Sequence, residues 1–321
     1  MREYHCPKVT EILMAAPLRL GLAGLGTVGI GVVKIVQEHA ALITARTGRE
    51  VVITAVSARD RTKNRDVDLS GYSWETDPVA LARRDDIDVF VEVMGGSEGA
   101  ARDATEAALA AGKDVVTANK ALLAHHGQAL AQTAEAAGCV IRFEAAVAGG
   151  IPVVKALTEG LAANRIRRII GVMNGTCNYI LTRMEDAGLP YAQVFEEARQ
   201  LGYLEADPNL DVGGIDAGHK LSLLAAIAFG TRVAFDSVEL QGIGAISIDD
   251  IRHAADMDYR IKLLGVAQMT GRGLEQRMTP CLVPMQSPLG QLQGGTNMIV
   301  LEGDSVGQIV PGPVWVRPPA P

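Results

Sequence analysis

Residues 18–29 read Leu18-Arg19-Leu20-Gly21-Leu22-Ala23-Gly24-Leu25-Gly26-Thr27-Val28-Gly29, and this stretch decides the fold. An apolar run of strand type flows into a GxGxxG turn, and a helical pattern continues to about residue 39. In that setting the first glycine makes the tight turn, the second lets backbone approach a pyrophosphate, and the third lets helix pack on strand. Gly24, Gly26 and Gly29 are thus candidate dinucleotide contacts, with a ligand-free glycine turn as the plainer alternative.

Working outward, apolar runs at 51–56, 88–94, 114–117 and 139–144 alternate with helical patterns at 100–111 and 121–137. Five β/α units predict a doubly wound parallel sheet covered on both faces. Ligands on such sheets bind beyond the carboxyl ends of the strands, so Gly24, Gly95, Lys120 and Glu144 are expected to converge. Lys120 opens a helix, where a cation is unfavourable, and that predicts an anion nearby. Arg59 and Asp60 follow the second strand, where an arginine suits the 2′-phosphate of NADP and a carboxylate suits the 2′-hydroxyl of NAD. Arg59 favours NADP, with NAD or a solvated surface charge as the alternatives.

From Pro152 the pattern changes to α+β with a mixed sheet. Helices are expected at 152–162, 176–185 with Thr176 as N-cap, 191–201 and 248–255. A strand is expected at 167–173, with hairpins over 259–283 and 297–310.

Between them lies Gly202-Tyr203-Leu204-Glu205-Ala206-Asp207-Pro208-Asn209-Leu210-Asp211-Val212-Gly213-Gly214-Ile215-Asp216-Ala217-Gly218-His219-Lys220. Helical periodicity from about Asp211 stacks Asp216 and Lys220 at i and i+4. The following run, 221–229, is apolar nearly all round and hence buried, so the pair at its mouth is partly desolvated. Gly213, Gly214 and Gly218 suggest close approach of another group to the backbone. Asp207 before Pro208 reads as turn chemistry.

The chain has 321 residues, 48% hydrophobic and 21% charged, with a net charge of −7. This size predicts two domains, and the acidic balance opposes nucleic-acid or anionic-membrane partners. Cys6, Cys139, Cys177 and Cys281 form no ligand-spaced set, which fits a reducing, cytoplasmic setting. No apolar run is long enough to span a membrane.

The glycine turn, Thr117-Ala118-Asn119-Lys120, Glu144 with Gly149-Gly150-Ile151-Pro152, Asn174-Gly175-Thr176-Cys177-Asn178-Tyr179-Ile180-Leu181, and above all residues 202–220 closely resemble the homoserine dehydrogenase family. The resemblance covers residues 18–308. It implies reversible NAD(P)H-dependent reduction of L-aspartate 4-semialdehyde to L-homoserine, on the route to threonine and methionine. It makes Lys220 the proton donor and acceptor and Lys120 a lysine at the cofactor. Glu205 and Asp216 match substrate-binding residues. Asp211 is grouped with them, with a helix cap or a partner to a lysine as its other readings. Leu25, Thr27, Val28, Arg59 and Gly202 match cofactor contacts. Glu144 and the carbonyls of Val147, Gly149 and Ile151 match a sodium site, although from the residues alone Glu144 reads first as a structural hydrogen-bond acceptor. A homodimer through the second domain's sheet is also implied.

The expected organisation is a disordered extension at 1–17, an NAD(P)-binding domain at 18–151, a substrate-binding and dimerisation domain at 152–308, and a proline-rich tail at 309–321. The tail departs from the family's pattern, which predicts a truncation or reading-frame change near Gln308. Another amino-acid-linked dehydrogenase, or a nucleotide-binding dimer with weak catalysis, is the competing reading.

Overall fold

Alternating strand and helix patterns in the first half, and long antiparallel runs in the second, produce two sheets. The structure, a computed structural model, describes residues 15–204 and 207–315. Expectations for residues 1–14, Glu205 and residues 316–321 lie outside the described residues.

The first half runs β1 (Ala15–Ala23), α1 (Thr27–Glu38), α2 (Ala40–Thr47), β2 (Arg49–Ser57), β3 (Ser73–Glu75), α3 (Pro78–Ala82), β4 (Val89–Glu92), α4 (Ala100–Ala110), β5 (Asp114–Thr117), α5 (Lys120–Ala137) and β6 (Ile141–Arg142). Its six-stranded sheet has the order β3-β2-β1-β4-β5-β6, with β1 parallel to both β2 and β4 and β2 parallel to β3. This is the doubly wound architecture expected. Leu20, Leu22, Ile53, Val56, Val89 and Val91 from the strands and Val33 from α1 are buried together.

Four local expectations need correction. The first strand begins at Ala15, because Ala15 pairs with Arg49, whose Nε donates to the Ala16 carbonyl at 2.6 Å. Residues 15–17 are therefore ordered in the sheet. The helix ending near 39 is followed at once by α2, bent 76° from α1 and closed by Gly48 in the left-handed region. The short β3 and α3 interrupt the expected β/α alternation; Asp77 caps α3 through the Val79 N–H, with Pro78 at its first turn. Finally, the strand expected at 139–144 spans only Ile141–Arg142. Glu144 opens a helix instead, since its carboxylate satisfies unpaired amides further along the chain.

The second half contains α6 (Glu144–Val147), α7 (Val153–Lys155) continued by a π-helical stretch Ala156–Gly160, β7 (Ile166–Val172), α8 (Gly175–Ala187), α9 (Tyr191–Gln200), α10 (Pro208–Val212) and α11 (Ile215–Phe229). It ends with β8 (Glu239–Leu240), α12 (Ile248–Asp256), β9 (Tyr259–Thr270), β10 (Gly273–Pro284), β11 (Thr296–Gly303), β12 (Gly307–Ile309) and β13 (Val314–Trp315). The sheet order is β12-β11-β7-β9-β10-β8, and β13 adds to β11. Only β8 and β10 pair parallel among the described strand pairs of this sheet, so it is mixed. Ile180, Leu221, Leu224 and Ala267 belong to one large buried cluster in which helices cover one face of the sheet, while Val172, Leu264, Met298 and Val300 form another.

Asn174, not Thr176, caps α8: its Oδ1 accepts the Cys177 N–H at 2.8 Å, while the Thr176 hydroxyl donates to the Tyr203 carbonyl. Asp207 caps α10 through the Asn209 N–H. The single helix expected from Asp211 onward is broken at Gly213–Gly214, where Gly214 takes φ 81°. A Cβ on Gly213 would lie 2.5 Å from the Asn209 carbonyl, so glycine is required at that corner.

By contact density the chain divides into two units. The first comprises Met1–Met94, Ala100–Val116 and Ala137–Val140; the second comprises Gly95–Gly99, Thr117–Ala136 and Ile141–Pro321. Among the described residues, no single helix is long and apolar enough to cross a membrane.

Candidate active site

In the first unit, the sequence between β1 and α1 forces a turn that only glycines can make. Gly24 takes φ 104°, its N–H donates to the Ser57 carbonyl at 2.9 Å, and a Cβ there would lie 2.6 Å from the Val93 carbonyl oxygen. A Cβ on Gly29 would lie 1.9 Å from the Gly24 carbonyl oxygen. Gly26 differs: a Cβ would meet nothing within 4 Å. Gly24 and Gly29 are thus fixed by packing, whereas Gly26 leaves open space at the start of α1. Gly26 caps that helix without a side-chain hydrogen bond. Exposed N–H groups and the helix dipole at such a terminus suit a pyrophosphate. Leu25 is buried, Thr27 opens α1 and Val28 is exposed. Arg59 is exposed beyond β2, and Asp60 turns its Oδ1 into its own loop, accepting from the Thr62 and Lys63 amides and the Thr62 hydroxyl.

In the second unit, a lysine remote in sequence meets an aspartate–lysine pair one helical turn apart. Lys120, first residue of α5, sits 2.8 Å from Asp216 Oδ1. Lys220 sits 2.6 Å from Asp216 Oδ2, one turn along α11, and its Nζ also donates to the Met173 carbonyl at 2.9 Å. The anion expected near Lys120 is therefore Asp216. Asp216 lies in the first turn of α11, where the helix dipole favours a carboxylate. Burial alone would raise its pKa, but the ammonium groups of Lys220 and Lys120 outweigh that and hold it at about 2. A carboxylate flanked by two lysines leaves one net positive charge, suited to an oxygen on which negative charge develops.

Neighbouring groups lock the lysines in place. Asn119 caps α5 by accepting the Leu122 N–H, and its Nδ2 donates to the Gly96 carbonyl at 2.7 Å. Asn174 follows Met173, and its Nδ2 donates to Asp211 Oδ1 at 3.0 Å. Asp211 is buried. No side-chain pattern could have signalled the Met173 carbonyl, because a main-chain acceptor carries no residue preference.

The sequence predicts close approach of another group to the Gly218 backbone. The approaching groups are the protein's own: a Cβ would lie 2.8 Å from Leu240 and 3.2 Å from Phe235. His219 packs against His125 and Phe235, with ring centroids 5.4 and 4.2 Å away. Its Nε2 is among the described buried atoms without a hydrogen-bond partner. Gly202, at φ 76°, ends α9.

Glu144 Oε1 accepts the Val154 N–H and Oε2 the Lys155 N–H, both at 2.9 Å. It is thus the structural acceptor that its residue type first suggested. The Ile151 carbonyl accepts the Val153 N–H. Val147 and Ile151 are buried and Gly149 is exposed. Among the described residues, no group of three or more His, Cys, Asp or Glu side chains could hold a metal.

Known proteins share this fold. Residues 24–144 match the model of the homoserine dehydrogenase NAD-binding domain, and residues 152–313 match that of homoserine dehydrogenase. Homoserine dehydrogenase of Neisseria gonorrhoeae is 45% identical over 292 residues, 91% of this chain and 67% of that protein. That of Bacillus subtilis is 41% identical over 291 residues, with the same two coverages. The crystal structure of a homoserine dehydrogenase from Thiobacillus denitrificans superposes with a TM-score of 0.89 at 43% identity, over 92% of this chain and 69% of that one. The chain spans about two thirds of the length of the curated relatives it matches. Two matched domain models and identity sustained over nine tenths of its length establish that this chain belongs to the homoserine dehydrogenase family of oxidoreductases.

Proposed function

We propose that the protein catalyses the reversible NADPH-dependent reduction of L-aspartate 4-semialdehyde to L-homoserine, the step that feeds threonine and methionine synthesis. The observation that carries the reading is the Asp216 carboxylate shared by Lys120 and Lys220. Lys220 gives its proton to the carbonyl oxygen of the aldehyde and recovers one from the alcohol in reverse. The Met173 carbonyl and Asp216 aim its ammonium group, so the donor is preorganised before substrate arrives. Lys120 adds a second positive charge beside the developing alkoxide. With both Asp216 oxygens engaged by lysines, Asp216 orients the donors, and Glu205 receives the substrate's ammonium group. Asp211 supports the Met173–Asn174 turn through Asn174.

The bound nicotinamide dinucleotide supplies the hydride. Open space over Gly26 supports pyrophosphate binding by Gly24, Leu25, Gly26, Thr27, Val28 and Gly29, and Gly202 joins these contacts. Asp60, turned into its own loop beside exposed Arg59, supports NADP over NAD. Glu144 and the carbonyls of Val147, Gly149 and Ile151 are a donor set suited to sodium, each carboxylate oxygen keeping a further acceptor position. A cytoplasmic setting, which the unpaired Cys139, Cys177 and Cys281 suit, and a homodimer complete the reading.

The test follows NADPH absorbance with aspartate semialdehyde. Wild-type protein should turn over, and Lys220→Ala should lose on the order of 10³-fold in kcat, as for removal of a general acid. Robust turnover by Lys220→Ala removes Lys220 as proton donor.

A further inference from the structure

The loop after β2 is braced by its own side chains. Asp60 Oδ1 accepts from the Thr62 N–H, the Thr62 hydroxyl and the Lys63 N–H at 2.8, 2.7 and 3.2 Å. Asn64 Oδ1 accepts the N–H of Asp66, which sits at φ 52°, a region that aspartate tolerates better than most residues. Arg65 makes one bond that ties this loop to the glycine turn and two that brace the loop itself. Its Nε donates to the Leu25 carbonyl at 3.2 Å, Nη1 to the Lys63 carbonyl at 2.9 Å and Nη2 to the Asp60 carbonyl at 2.5 Å. The same guanidinium lies 5.8 Å from the centroid of the Trp74 ring.

A guanidinium bonded to three carbonyls is a strut, because its planar fork fixes all three acceptors at once. Arg59, Arg61 and Lys63 are exposed instead, with Arg61 lying 5.7 Å from the Trp74 centroid. Within five residues the loop presents three cations, while the one intervening carboxylate, itself exposed, is engaged by the loop's own Thr62 and Lys63.

We propose that Arg65 is a positioning residue for cofactor selectivity. By clasping the loop to the glycine turn through the Leu25 carbonyl, it holds Arg59, Arg61 and Lys63 as a preformed tip for a phosphomonoester, the 2′-phosphate of NADPH. Preorganisation matters because long cationic side chains on a slack loop must otherwise be ordered on binding. The proposal rests on the cofactor reading above.

The test measures NADPH and NADH dissociation constants for the full chain in a Trp315→Phe background, where Trp74 is the sole tryptophan. Arg65→Lys keeps the charge and loses the fork; Arg65→Ala loses both. Both variants should lower the NADPH-over-NADH preference about tenfold, and Trp74 emission should shift to the red as the loop loosens. Selectivity retained in both variants overturns the proposal. So does a loss of selectivity in Arg65→Ala that Arg65→Lys restores, since Arg65 would then act by charge alone. Wild-type protein that binds NADH as tightly as NADPH overturns the cofactor reading instead.

Discussion

The glycine turn at 24–29 and the Lys120–Asp216–Lys220 cluster handle charge by opposite means. The turn is contiguous and works through its backbone: two glycines are fixed by contacts no side chain could survive, and a third leaves space at a helix terminus. The cluster works through side chains on α5 and α11 with a carbonyl just past β7, brought together only when those elements pack. A backbone site is therefore broken by adding atoms. A side-chain site is broken by leaving a charge without its partner.

Mutations at each region test that contrast. The largest expected effect is at Gly29→Ala, whose Cβ would lie 1.9 Å from a main-chain oxygen that cannot swing aside; it should lose at least about 3 kcal/mol of stability by denaturant unfolding. Gly26→Ala sharpens the point: stability should stay within about 0.5 kcal/mol while NADPH affinity falls, because its Cβ enters open space. A stable Gly29→Ala protein with normal cofactor affinity would sink the packing account.

At the cluster, Asp216→Asn leaves two ammonium groups facing a neutral amide. The side chains of Lys120 and Lys220 are 30% and 17% exposed, so solvent softens the effect. The expected loss is about 2 kcal/mol, below the value for a fully buried pair. In the double variant Asp216→Asn with Lys120→Met, part of that loss should return; a purely additive result would show that the lysines do not share the carboxylate's charge.

Acid should act next. Burial, and then His125 beside it, push His219 down to about 4 despite the opposing pull of Asp216. Its folded pKa lies below the unfolded value, so the unfolded chain binds the extra proton as pH falls below about 6.5. The imidazole's contribution to stability is full above that pH and is lost toward pH 4, about 2 kcal/mol between pH 7 and 5. His219→Leu should flatten this slope, and an unchanged slope would assign it elsewhere. The smallest effect is expected at Asp207→Ala, which removes a helix cap and about 1 kcal/mol.

Much of the fold was legible because local rules act strongly here. The GxGxxG turn and the apolar strands are each fixed by a few adjacent residues, whereas Asp207 before Pro208 reads as turn chemistry and instead caps α10. The failures share a cause as well. The apolar neighbours of Glu144 predict a strand end, yet its carboxylate serves amides ten and eleven residues ahead. Asn174 and Thr176 are both competent N-caps in sequence, and only the Tyr203 carbonyl, by claiming the threonine hydroxyl, leaves the cap to Asn174.

The sequence by itself determined the doubly wound sheet, the glycine turn and the stacking of Asp216 with Lys220, because spacings of one turn or less are set by backbone geometry. Only the tertiary structure decided that Lys120 shares the same carboxylate, that the Met173 carbonyl orients Lys220, and that Arg65 rather than Arg59 clasps the loop. Those contacts join segments 40 to 96 residues apart in the chain, as the differences 65 − 25 and 216 − 120 give. At such separations the partner is chosen by which surfaces pack, and no local propensity records the choice.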